Sequence, residues 1–301
     1  MEDVTDAAFR RLIARYGQPH VMFTEFTSAD GLVLADEHGQ KMLRRKLIYD
    51  ESERPIVAQL FSANPERMEQ AAALCKDLGF DGVDINMGCP VREVVDNHCG
   101  AALIKNPALA KEIIRAAQRG AAGLPVSVKT RIGYKTNEIE TWVPALLEEN
   151  IAGLTLHART RDEMSDVLAR WDTVARTVEI RDTLGSETLI VGNGDVKDLV
   201  HAREKVEETK CEGVMLGRAI YGNPWLYAER ATPPTPKERL QALDEHLQLF
   251  DELMYDTQNY AVMKKHFKAY VSGWDGAKEL RVRLMETTSV AQAIEVIHGV
   301  R

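Results

Sequence analysis

Asp81-Gly82-Val83-Asp84-Ile85-Asn86-Met87-Gly88-Cys89-Pro90 decides how this chain is read. The stretch from Asp81 to Ile85 is short and bounded by glycine, which predicts a β-strand, and a helix-breaking proline follows the thiol. Cys89 then falls just past the carboxyl end of a strand, where parallel α/β sheets carry their chemistry. The structural alternative is a small buried residue at a tight turn, the usual place of a cysteine that does no chemistry.

Outward from that segment, strand-like and helix-like stretches alternate. Strands are predicted at 21–26, 55–61, 82–86, 125–131, 152–157, 189–192 and 213–217, with amphipathic segments at 65–78, 108–119, 138–149, 171–183 and 197–206. Parallel strands need helical crossovers, so the expected fold class is α/β, a (β/α)8 TIM-type barrel with seven of its eight strands readable. The first strand is the one expected to be missing, because 5–16 reads as a helix capped by Thr5 or Asp6 and only a loop precedes it. Thr232-Pro233-Pro234-Thr235-Pro236 reads as a stiff linker. It divides a barrel domain, 1–231, from a small all-helical domain, 232–301, with helices at 237–254, 260–271, 277–287 and 289–298.

Composition narrows the function. The 301 residues are 45% hydrophobic, enough for a core, and no apolar run approaches the roughly 20 residues of a membrane helix. The amino terminus is not a signal peptide, so a cytoplasmic protein without membrane contact is expected. Four cysteines without a Cys-x-x-Cys pair suggest neither a metal site nor a disulfide framework. A net charge of −8 argues against wholesale nucleic-acid affinity and leaves only local basic patches. These are Lys41 with Arg44, Arg45 and Lys46; Lys264, Lys265, His266 and Lys268; and Arg281 with Arg283. The first patch reads as a solvated helix face, the alternative that every such run carries.

The strand ends repeat one theme. They carry Glu25, Gln59, Asn86 with Cys89, Lys129 with Arg131, His157 with Arg159, Asn193 with Asp195, and Gly217 with Arg218. Singly each is a cap or a solvated end; in succession they match a barrel with its site on the carboxyl face. Gly192-Asn193-Gly194-Asp195 and Gly217-Arg218 suit a phosphate, since small residues let backbone N–H groups approach an anion and Arg218 adds a forked cation. Ordinary turn chemistry is the alternative there.

Eight blocks in order resemble the signatures of the tRNA-dihydrouridine synthases: Met1 to Asp6, Thr24-Glu25-Phe26, Ala58 to Phe61, Asp84 to Pro90, Val128 to Arg131, His157 to Thr160, Gly192 to Asp195, and Gly217-Arg218 with Gly222-Asn223-Pro224-Trp225. The resemblance covers essentially the whole chain. It implies an FMN-bearing barrel followed by a helical domain that helps to hold tRNA, and a monomer is expected. It also implies that NADPH reduces the flavin, which then gives a hydride to C6 of a uracil in tRNA while Cys89 protonates C5. A thiol of ordinary pKa, about 8.5, is protonated at neutral pH and competent for that task.

By matching motif position, Met1, Glu2 and Asp3 would lie against the flavin, Gln59 and Lys129 would bond its ring, and His157 would lie beside it. Asn193, Gly194, Asp195, Gly217 and Arg218 would cradle its phosphate. Asn86 would orient the uracil, Arg131 and Arg159 would touch substrate, and Lys264 and Lys265 would meet the RNA backbone. The chain departs from the family pattern in three places. A strand normally precedes the block that starts at Met1, His98 and Cys99 stand where small residues are usual, and Met164-Ser165-Asp166-Val167 replaces an aromatic-glycine pattern. Two other classes share parts of this reading: an FMN-dependent ene or dihydroorotate-type reductase of a free small molecule, and a non-catalytic RNA-binding relic.

Overall fold

The structure is a computed structural model that describes residue 1 and residues 3–300. In chain order the elements are α1 (Ala7–Tyr16), β1 (Met22–Phe23), β2 (Thr27–Ser28), α2 (Ala29–Leu34), α3 (Glu37–Arg45), β3 (Ile56–Phe61), α4 (Pro65–Asp77), β4 (Gly82–Met87), α5 (Arg92–Asp96), α6 (Pro107–Ala121) and β5 (Val126–Arg131). They continue as α7 (Ile139–Leu147), β6 (Gly153–His157), α8 (Asp172–Thr183), β7 (Leu189–Asn193), α9 (Leu199–Thr209), β8 (Gly213–Met215), α10 (Pro236–Met254), α11 (Met263–Tyr270), α12 (Ala277–Glu286) and α13 (Val290–His298). Two compact units emerge, one of residues 26–43 and 56–217, the other of the described residues in 1–25, 44–55 and 218–301.

The first of these is a parallel sheet in which β2 to β8 follow one another in sequence order. Side chains alternate between faces with period two, and residues opposite in register share a face. Gln59 lies opposite Asp84, Asn86 opposite Lys129, Arg131 opposite His157, and His157 opposite Asn193. One face of the sheet is therefore polar along its length. The other carries Val83, Ile85, Val128, Leu154, Leu156 and Ile190, all buried, and α4 and α6 pack against β3 to β5. Asn64 and Asn106 cap α4 and α6 by accepting the N–H groups of Arg67 and Leu109, and proline opens both helices. This is the TIM-type α/β architecture that the spacing predicts.

The strand expected at 21–26 is instead two short pieces, β1 and β2, separated by Thr24 to Phe26. Buried polar groups explain the break. Thr24 donates its hydroxyl to the Glu25 carbonyl at 2.9 Å, and the Glu25 carboxylate accepts the Asp3 N–H at 2.5 Å. These bonds hold the segment away from ladder geometry.

The second unit is mainly helical. Asp6, not Thr5, caps α1, accepting the Phe9 N–H at 2.9 Å. Burial pushes the Asp6 carboxyl up to about 6. One turn on, Arg10 is buried against Glu53 at 2.7 Å and donates to the carbonyls of Thr5 and Ile48. Pro236 stands at the first turn of α10, and Thr235 forms a capping box with Glu238, so the proline-rich stretch is a helix start inside this unit, which takes up the chain from 218 and not from 232.

Phe9 of α1 stacks on His246 of α10 at 5.0 Å, and His266 of α11 stands 5.0 Å from Phe9 and 4.6 Å from His246. Both histidines are fully buried, and His246 Nε2 and both ring nitrogens of His266 lack a hydrogen-bond partner. His266 was expected in a basic surface patch. The structure corrects that, because its face of α11 turns into the core with Met263, Phe267 and Tyr270 while Lys264, Lys265 and Lys268 take the outer side. No helix of the described residues is long and apolar enough to cross a membrane.

Candidate active site

The polar face of the sheet becomes a connected network at β3 and β4. Asp84, fully buried, accepts the Ser127 hydroxyl at 2.6 Å and the Gln59 amide at 2.7 Å. Gln59 Oε1 accepts the Asn86 amide at 3.0 Å, and Asn86 Oδ1 accepts the backbone N–H groups of Gly88 at 3.1 Å and Cys89 at 2.9 Å. Burial raises the pKa of Asp84, while bonds from Ser127 and Gln59 and the charge of Lys129 pull it down.

Cys89 is 8% exposed and stands two residues past the end of β4. The Arg131 Nε donates to the Gly88 carbonyl at 2.9 Å, and Ala101 N donates to the Cys89 carbonyl at 3.0 Å. Gly100 presses on the same turn. A Cβ there would stand 2.8 Å from the Cys89 carbonyl oxygen and 3.1 Å from its Cβ, on backbone at φ +58°, so no side chain fits. Among the described residues no cysteine is in a disulfide, and no group of three or more His, Cys, Asp or Glu stands where it could hold a metal ion.

Beside the thiol lies a concentration of cations. Burial first and Arg131 second lower Lys129 to about 8; burial and then Arg159 lower Arg131 to about 10. Burial, then Lys129, Arg131 and Arg159, push His157 down to about 2. Asp195 lies on the other side, paired with Arg159 and accepting the Ala169 N–H at 2.9 Å. Positive charge is in excess at these strand ends, and an anion placed there relieves it. The adjoining turn is shaped for close approach: Gly194 has φ +132°, and a Cβ on it would meet Ala169 Cβ at 2.7 Å. Trp171 covers Gly192 and donates its indole N–H to the Gly194 carbonyl at 3.0 Å, and Asn193 donates to the Met215 carbonyl at 2.7 Å. These features fit a phosphate-bearing, anionic cofactor such as FMN.

Gln59, Asn86, Cys89, Lys129, Arg131, His157, Arg159, Asn193, Gly194, Asp195 and Gly217 all belong to the sheet unit. Arg131 and Arg159 are held by backbone as much as by side chains. Arg131 donates to the carbonyls of Thr160 at 2.9 Å and Met164 at 3.0 Å, and Arg159 to that of Val167 at 2.7 Å. Met1, Asp3, Arg218, Lys264 and Lys265 belong to the helical unit. There the Met1 amine donates to Thr5 Oγ1 at 2.6 Å, Asp3 pairs with Lys265 at 2.9 Å, and Lys264 donates to the Met285 carbonyl at 2.8 Å. Arg218 is exposed. The expected role of Glu2 lies outside the described residues.

Sequence reasoning missed Asp84, Ser127, Gly100 and Trp171. The period-two alternation of Asp84 with Asn86, and of Ser127, Lys129 and Arg131, was the available signal for the first two.

Fold and site define a TIM-type α/β protein with an anion-attracting carboxyl edge and a thiol set into it. Two solved structures share that fold. Morphinone reductase in complex with tetrahydroNAD superposes with a TM-score of 0.52 at 13% identity, over 79% of this chain and 86% of that one. A variant of NCR from Zymomonas mobilis gives 0.51 at 16%, over 78% and 85%. The dihydrouridine synthase family model matches residues 1–299. A probable tRNA-dihydrouridine synthase 2 of Bacillus subtilis is 40% identical over 291 residues, 96% of this chain and 88% of that protein. A probable tRNA-dihydrouridine synthase of Staphylococcus aureus is 40% identical over 295 residues, 97% of this chain and 89% of that protein. The chain belongs to the dihydrouridine synthase family.

Proposed function

We propose that the protein is a flavin-dependent oxidoreductase, a tRNA-dihydrouridine synthase that reduces the C5–C6 bond of specific uridines in tRNA. The observation that carries this reading is the placement of Cys89, fixed by Asn86 on a strand end whose register partner is Lys129. FMN bound at this edge, reduced by NADPH, supplies a hydride for uracil C6.

Cys89 donates the thiol proton to C5, so that one hydride and one proton saturate the bond. Lys129 and Gln59 would hold the flavin ring, Lys129 offsetting negative charge there, with His157 beside it as a neutral imidazole. By motif position alone, Met1, Glu2 and Asp3 would be assigned to the ring. By motif position, Asn193, Gly194, Asp195, Gly217 and Arg218 would be assigned to the phosphate. Asn86 orients the uracil, Arg131 and Arg159 attract the nucleotide, and Lys264 and Lys265 serve the RNA backbone. By this reading the chemistry belongs to 1–231 and the grip on tRNA to 232–301, a functional division that does not coincide with the two compact units. The target base leaves the RNA stack to react, since C5 and C6 are otherwise out of reach. The enzyme works in the cytoplasm as a monomer, without a metal.

The two halves of the reaction separate at Cys89. In Cys89→Ala, rapid-mixing absorbance should show normal flavin reduction by NADPH, while uracil reduction in tRNA falls by about 10²- to 10⁴-fold, the range for a lost general acid. Normal reoxidation of the flavin by tRNA in that variant would overturn the assignment. Equal turnover of a free uracil derivative would favour a small-molecule reductase instead.

A further inference from the structure

Nothing in its shape tells an amide which end is which; hydrogen-bond partners decide. Asp84 accepts from Gln59 through Oδ2, so Gln59 turns its NH2 toward it and its carbonyl away. That carbonyl obliges Asn86 to turn its NH2 toward Gln59. The Asn86 carbonyl is thereby left facing the N–H groups of Gly88 and Cys89. With the chain reversed, the Asn86 NH2 would confront two further donors with no acceptor, deep in a buried site. Ser127, donating to the other Asp84 oxygen, holds the carboxylate in place.

We propose that Asp84 is the positioning residue of the thiol turn, fixing the backbone of Cys89 through the ordered amides of Gln59 and Asn86. The role rests on the proton-donor reading only for its consequence in turnover; the geometry stands apart from it. Asp84 touches no reacting atom and acts through two intermediaries. A serial chain of this kind has a signature: cutting it at one link or at two has the same effect.

The readout is the rate at which iodoacetamide alkylates Cys89 in the flavin-loaded protein without tRNA. Peptide mass spectrometry separates this thiol from Cys75, Cys99 and Cys211, which are also buried. Freeing the turn should raise the rate roughly tenfold in Asp84→Ala and in Gln59→Met, the weight of about one lost hydrogen bond. The double variant should be no faster than either single one. Asp84→Asn should return the rate to about that of the wild type, because its carbonyl can accept from Gln59 while its NH2 donates to Ser127. A wild-type rate in a folded Asp84→Ala, or rates that multiply in the double variant, would overturn the proposal. Should Asp84→Ala fail to fold, a wild-type rate in Gln59→Met overturns it equally. Failure of the wild-type enzyme to form dihydrouridine in tRNA would instead strike the functional reading and leave this alkylation pattern intact.

Discussion

Two regions each hold histidine in its neutral form, by burial first in both, and they differ in the charges that add to it. At the strand ends His157 is pushed down by burial and by three neighbouring cations. In the helical unit His246 and His266 are pushed down by burial first, with His266 adding to it for His246 and Lys265 for His266. An anion can offset the share that the cations add at the first site. Only unfolding can restore the second. The contrast separates a charge imbalance that a ligand completes from a desolvation penalty built into a core.

The largest expected effect lies in the helical unit. A histidine with a lowered folded pKa contributes stability present above its unfolded value near 6.5 and lost as pH falls toward the folded value, about 4 for His266. That loss is about 3 kcal/mol for His266 alone. Asp6 acts in the opposite sense. Its folded pKa is raised to about 6, so its contribution is present below about 4 and lost as pH rises through 6, an offset of similar size. Asp6→Asn, which keeps the α1 cap, should therefore steepen acid destabilisation by about 3 kcal/mol between pH 6 and 4, and His266→Phe should flatten it. Urea unfolding at a series of pH values measures both. Parallel curves for the two variants and the wild type would erase the distinction drawn between the regions.

A second measurement sharpens it from the other side. Saturating inorganic phosphate or FMN should raise the His157 pKa by about 1 to 3 units, the usual effect of an opposite charge at close range. His246 and His266 should not move. Imidazole resonances followed by NMR against pH read all three at once, and a common shift would mean that the anion acts through the fold as a whole.

The smallest effect concerns the neighbouring thiol. Burial, with Asp30 adding to it, pushes Cys99 up to about 11, and it is 4% exposed. Cys99→Ala should cost about 1 kcal/mol of stability and leave tRNA reduction unchanged. A large loss of activity there would move the acid role away from Cys89.

Strands β3 to β7 were legible within a residue or so because their apolar faces sit between glycines, prolines and caps. The segment at 21–26 was not, since Thr24 and Glu25 take partners outside any ladder and nothing in β-propensity encodes that. The thiol, the cations and the glycine turns were visible as a series of polar strand ends. Asp84 lies inside the predicted strand rather than at its end, where the polar series that marks the site does not reach. The company that α1 and residues 44–55 keep with the carboxyl-terminal helices rests on contacts such as Arg10 with Glu53 and Tyr16 with Glu245. Such partners are tens to hundreds of residues apart in the chain, beyond the reach of local periodicity.

Gly100 divides the freedom of its loop unequally. Its α-carbon has to stay bare because the thiol turn fills the space where a side chain would go, while Asn97 and His98, three and two residues earlier, are exposed. Variation can accumulate on the outward positions and retune what the loop meets without displacing the sulfur. A directed-evolution library over residues 96–105 should therefore return diverse outer residues around an unvarying glycine, with adaptation and chemistry kept on separate sides of a single backbone.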